Sequence, residues 1–106
     1  MTDQTKQYIQ ENIVKYSKLH DFTDYATDLP SKVFTKEENL IVLYIRNMLP
    51  SLCNRYLQGQ ISKKDVEAKA NYIMFKRYNP SILGRVLKRE VVDFLMILGE
   101  IGSIDE

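Results

Sequence analysis

The chain has 106 residues, 44% of them apolar and 27% charged, with a formal net charge of +1. That length supports one compact core rather than two, and the composition excludes wholesale disorder. The near-neutral balance leaves no global field to recruit nucleic acid or a membrane surface, and the single cysteine, Cys53, excludes an intrachain disulfide.

The polar opening MTDQTKQYIQENIVK lacks the apolar stretch of a signal peptide. No apolar run reaches the roughly 18 residues of a membrane span. A cytoplasmic protein is therefore expected. The chain is rich in Lys, Ile, Tyr and Asn and has no Trp. That bias suggests an AT-rich genome, such as that of a low-GC bacterium or one of its phages.

Helical spacing predicts four helices and no hairpin. The first spans about Asp3 to Leu19, with Ile9, Ile13 and Tyr16 as a thin stripe, and is expected to be peripheral. A long connection follows, HDFTDYATDLPSKVF, in which Phe22, Tyr25, Leu29, Val33 and Phe34 are candidates to pin the chain to the core. A short helical turn is expected within Phe22 to Thr27.

The second helix has a clear start. Thr35 and Glu38 form a T-x-x-E capping box, and Phe34 is placed for a hydrophobic staple with Asn39 or Leu40. Ile41, Ile45, Met48, Leu49, Leu52 and Tyr56 share one face. Pro50 removes a helical hydrogen bond and predicts a kink or break at Met48 to Leu49. Gly59 is the expected left-handed cap.

The third helix starts at Ser62, with Asp65 completing its box, and ends near Tyr78. Asn79-Pro80 then stops one helix and starts the next. The fourth is expected from Pro80 to about Leu98, with Ile82, Leu83, Val86, Leu87, Val91, Phe94, Leu95 and Leu98 as its stripe. The fold class is thus all-α: an antiparallel bundle of four helices with a long, partly ordered connection between the first and second. Its predicted centre is Ile41, Ile45, Leu49, Leu52, Ile73, Leu83, Leu87, Val91, Phe94, Leu95 and Leu98.

No catalytic constellation appears. One His (His20), one Cys (Cys53) and the acidic loop residues Asp21, Asp24 and Asp28 lack the spacing of a metal site. No third group orients a Cys53–His20 pair, and no glycine-rich phosphate loop exists. No cofactor, metal or enzymatic activity is expected.

Interaction surfaces are more promising. The half from Met1 to Cys53 has six basic and seven acidic residues (−1), and the half from Asn54 to Glu106 has nine and seven (+2). Within Lys76 to Glu90, Lys76, Arg77, Arg85, Lys88 and Arg89 face one Glu90, giving +4. On the third helix Val66, Ala70, Ile73 and Met74 lie on one side, and Ala68, Tyr72 and Phe75 on the other, flanked by Lys69 and Lys76. The second side is either buried against a neighbour or an exposed aromatic anchor rimmed by lysines. Arg85, Lys88 and Arg89 are expected together on the outer face of the fourth helix.

These features predict a small non-enzymatic protein that regulates or inhibits a larger protein partner with an acidic surface, acting alone or as a homodimer. Its partner-binding residues would be Tyr72, Phe75, Lys76, Arg85, Lys88 and Arg89. The rival expectation is a helix-turn-helix DNA-binding regulator. In it the glycine turn before Ser62 precedes a recognition helix presenting Lys63, Lys64, Glu67 and Asn71.

Overall fold

A computed structural model describes residues 3–29 and 33–103. The described residues contain six α-helices and no strand: α1 (Asp3–Tyr16), α2 (Phe22–Tyr25), α3 (Lys36–Leu57), α4 (Lys63–Asn71), α5 (Pro80–Val86) and α6 (Arg89–Leu98). A π-helical turn, Tyr72–Arg77, extends α4, and a 3-10 turn, Ile101–Ser103, follows α6. The all-α class is as expected. The four-helix count is corrected to six, because the connection folds a short helix of its own and the last long helix is divided.

The capping chemistry reads directly from sequence. The Thr35 hydroxyl accepts from the Glu38 N–H at 3.1 Å, while the Glu38 carboxylate accepts from the Thr35 N–H at 2.9 Å. Ser62 and Asp65 exchange the same pair of bonds at 2.9 and 3.2 Å. Gly59, at φ +73°, ends α3 in a Schellman arrangement. There the Gln60 N–H donates to the Arg55 carbonyl and the Gly59 N–H to that of Tyr56. Phe34 departs from the expected staple: it packs edge-on against Phe22 with centroids 5.9 Å apart, and Leu40 is exposed.

No break occurs at Pro50. Helix α3 runs unbroken from Lys36 to Leu57, and Pro50 is itself buried. Ile45, Leu49 and Leu52 are packed on both sides of the proline, and this shared burial offsets the one missing hydrogen bond. Helix α3 is the hub of the fold, touching α1, α2, α4 and α5.

The main departure lies in the expected fourth helix. It is two helices, separated by Leu87 and Lys88 in extended conformation. The connection segment reaches into this gap, where Ala26 pairs with Leu87 in an isolated antiparallel bridge. The Thr27 N–H donates to the Val86 carbonyl and the Lys88 N–H to the Tyr25 carbonyl, each at 2.8 Å. These bonds satisfy the Lys88 N–H and the Val86 carbonyl, which lose helical partners at the break. The apolar stripe survives the division: Leu83, Val86, Leu87, Val91, Phe94, Leu95 and Leu98 are all buried.

Every residue predicted for the core is buried, and the core is larger than predicted. Ile9, Ile13 and Tyr16 of α1 are in it, as are Tyr25 and Ala26 of the connection. The Tyr16 ring stacks on Phe94 (centroids 5.0 Å, 15° between planes) and meets Tyr25 at 6.0 Å. Helix α1 buries that predicted stripe alone, its remaining residues exposed or half-buried. Of the proposed pins, Phe22, Tyr25 and Phe34 pack inward, whereas Leu29 and Val33 are exposed. No helix among the described residues is long and apolar enough to cross a membrane.

Candidate functional site

The aromatic turn after α4 is built by a change of helical pitch. The Tyr78 N–H donates to the Ile73 carbonyl five residues back, at 3.1 Å, closing the wider ring of a π-helix. Ile73 and Met74 remain in the core, while Tyr72, Phe75, Lys76 and Arg77 are turned outward. Asn79 stops the turn. Its side chain accepts from the Ile82 N–H at 2.8 Å, and Pro80 opens α5.

The two alternatives for the second apolar side are resolved by exposure. Phe75 is 65% and Tyr72 42% exposed, and Ala68 is exposed as well. Lys69 sits over the Tyr72 ring, 5.4 Å from its centroid. Because Phe75 is not core, Phe75→Ala is expected to change stability by less than about 0.5 kcal/mol, as for an ordinary surface site. Thermal denaturation checks this. A loss of about 3–5 kcal/mol, as for a buried ring, would contradict the exposed placement.

The basic residues are less unified than one helix face would make them. Arg85 belongs to α5 and is exposed, whereas Lys88 lies in the extended break and Arg89 opens α6. Lys88 is half-buried and pairs with Asp28 at 3.6 Å, and Arg89 pairs with Asp93 at 3.7 Å. The continuous face expected for Arg85, Lys88 and Arg89 is corrected to two short segments, because the break resets the helical phase between them.

A second aromatic and basic cluster escaped sequence reasoning. The Arg77 guanidinium lies over the Tyr44 ring of α3, 4.1 Å from its centroid. Its Nε donates to the Tyr78 hydroxyl at 3.1 Å, and Tyr78 meets Tyr44 edge-on at 5.9 Å. Hydroxyls of Tyr78 and Tyr72 hold the Arg77 pKa above its ordinary value. Tyr44 joins this cluster from α3, outside the stripe read from the sequence, and nothing local pairs it with residues more than 30 positions away.

Two residues proposed for a DNA-reading helix are committed inside the fold. Asn71 donates to the Gly99 carbonyl at 3.0 Å, and Glu67 accepts from the Gly102 N–H at 3.0 Å. A methyl group on Gly99 would stand 2.5 Å from the Asn71 side-chain oxygen, and one on Gly102 2.9 Å from Glu67. These glycines admit close approach of α4. Glu67 and Asn71 thus anchor the C-terminal turn and do not project together toward a groove.

Cys53 is buried, and burial pushes its thiol pKa up to about 12. It is a protonated small hydrophobe at neutral pH, not an activated nucleophile. No group of three His, Cys, Asp or Glu side chains converges as a metal site among the described residues. Compared with protein-family models, with curated proteins and with solved structures, the chain matches none.

Proposed function

We propose that this chain is a non-enzymatic binding protein that regulates or inhibits a larger protein partner through the π-helical aromatic turn. The observation that carries the proposal is the exposed pair Tyr72 and Phe75, ringed by Lys69, Lys76 and Arg77. Large rings left in water are unfavourable for an isolated chain and are the side chains that supply desolvated area at interface centres. The surrounding cations select a partner with an acidic surface, guiding encounter and orientation. Exposed Arg85 extends that field. Lys88 and Arg89, already paired with Asp28 and Asp93, contribute less.

The test is affinity capture from the source cell with the wild-type chain and a Tyr72→Ser/Phe75→Ser variant side by side. A partner held by the wild type and lost by the folded variant is expected, since truncating an anchor costs about 1–3 kcal/mol. Equal capture by both would reject the turn as the docking surface. Titration with nonspecific duplex DNA at two salt concentrations addresses the DNA-binding rival, whose affinity would fall steeply with salt as counterions are released.

A further inference from the structure

A groove of about 600 Å³ runs between α3 and α4, bordering the aromatic turn, with which it shares Lys69. Its apolar floor is Met48, Leu52 and Ile61, and its walls carry Tyr44, Arg55 and Lys69. Arg77, seated over Tyr44, adds a third cation at one end. Neither Arg55 nor Lys69 forms an ion pair among the described residues.

The one carboxylate lining the groove, Asp65, already accepts from the Ser62 N–H and hydroxyl at 2.9 and 3.0 Å. Those two bonds, and then the charge of Arg55, hold its pKa below the usual carboxylate range. Asp65 is ionised and held at its cap, so Arg55, Lys69 and Arg77 leave a partly apolar groove with an excess of positive charge.

We propose that this groove docks a short acidic segment of a protein, with one apolar side chain on the Met48–Leu52–Ile61 floor and carboxylates reaching Arg55 and Lys69. Charge complementarity selects the occupant: guanidinium and ammonium groups form charge-assisted bonds to carboxylates, and the floor accepts an aliphatic anchor. A single nucleic-acid strand fits less well. It needs free ring faces for base stacking, and Arg77 already covers a face of Tyr44. The groove borders the aromatic turn and shares Lys69 and Arg77 with it, but Arg55 and the Met48–Leu52–Ile61 floor belong to the groove alone, and they tell the two assignments apart.

The experiment uses a labelled peptide of alternating Glu and Leu pairs, the same peptide with Gln for Glu, and oligothymidylate, each titrated into the full chain while backbone amide shifts are followed. The Glu peptide is expected to saturate and to shift amides along α3 and α4 facing the groove. The Gln peptide should bind at least about tenfold more weakly, and Arg55→Gln/Lys69→Gln should weaken the Glu peptide by a similar factor. Both substitutions lie on the surface, and an unchanged amide spectrum confirms that the variant folds. Absence of saturable Glu-peptide binding would overturn the proposal. So would equal binding of the Gln peptide, tighter binding of oligothymidylate, or affinity unchanged in the double variant. Shifts confined to Tyr72–Arg77 would also overturn it while supporting the aromatic turn as a docking surface.

Discussion

Tyr25→Ala is expected to destabilise the fold by about 3–5 kcal/mol, the range for deleting a buried aromatic ring. Tyr25 is fully buried in the connection, its ring against Tyr16, which stacks in turn on Phe94. Its hydroxyl donates to the Leu19 carbonyl at 2.5 Å. Alanine would leave a cavity beneath the segment whose backbone fills the gap between α5 and α6. Tyr25→Phe separates the two contributions: it keeps the ring and loses only the hydroxyl bond, costing about 1–2 kcal/mol. Denaturant unfolding of both variants checks the ranking. A Tyr25→Ala midpoint equal to wild type would show that the connection is not part of the cooperative core.

Alkaline pH is expected to unfold the domain cooperatively. Burial raises the pKa of Cys53 to about 12 and pushes the Tyr16 and Tyr25 phenols upward as well. In the unfolded chain the thiol ionises near about 8.5 and a phenol near about 10. Each group's folded pKa is raised, so its contribution is fully present below the unfolded value and is lost as pH rises toward the folded one. In that window the folded chain binds the extra proton, and stability falls by about 1.4 kcal/mol per pH unit for each group. Cys53 begins the loss near about pH 8.5, and the two tyrosines steepen it above about pH 10.

Tyrosinate absorbance and helical dichroism, followed together, provide the measurement. The buried phenols should ionise in the same step that abolishes helicity, and Cys53→Ala should move the onset of destabilisation upward by roughly one to two pH units. Ionisation of all seven tyrosines with helicity intact would contradict the burial of Tyr16 and Tyr25. Thiol reagents at neutral pH should likewise label Cys53 only through unfolding.

Interaction chemistry was partly legible from the sequence. Tyr72 and Phe75 were recognisable as a second apolar side because helical spacing assigns residues to faces whatever those faces meet. Whether that side met a neighbour or water depended on where the other helices lay. From the sequence Arg77 is charge alone, whereas its seat on Tyr44 joins two helical elements and has no local signature. The groove between α3 and α4 was invisible for the same reason.

By itself the sequence determined the helical class, the starts of α3 and α4, the end of α3 at Gly59, the corner at Asn79-Pro80 and the inward stripe of each long helix. These features depend on interactions within a few residues: side chain to nearby N–H, proline ring to the preceding backbone, apolar recurrence at 3.6 residues. Only the tertiary structure decided that α3 passes unbroken through Pro50 and that the last helix divides at Leu87 and Lys88. In the first case burial on both sides offsets a local defect. In the second, Tyr25 and Thr27 supply two backbone hydrogen bonds in place of helical ones, and the Tyr25 ring is buried. Both outcomes depend on packing against other elements, about 60 residues distant in the second case, and a local pattern contains no term for them.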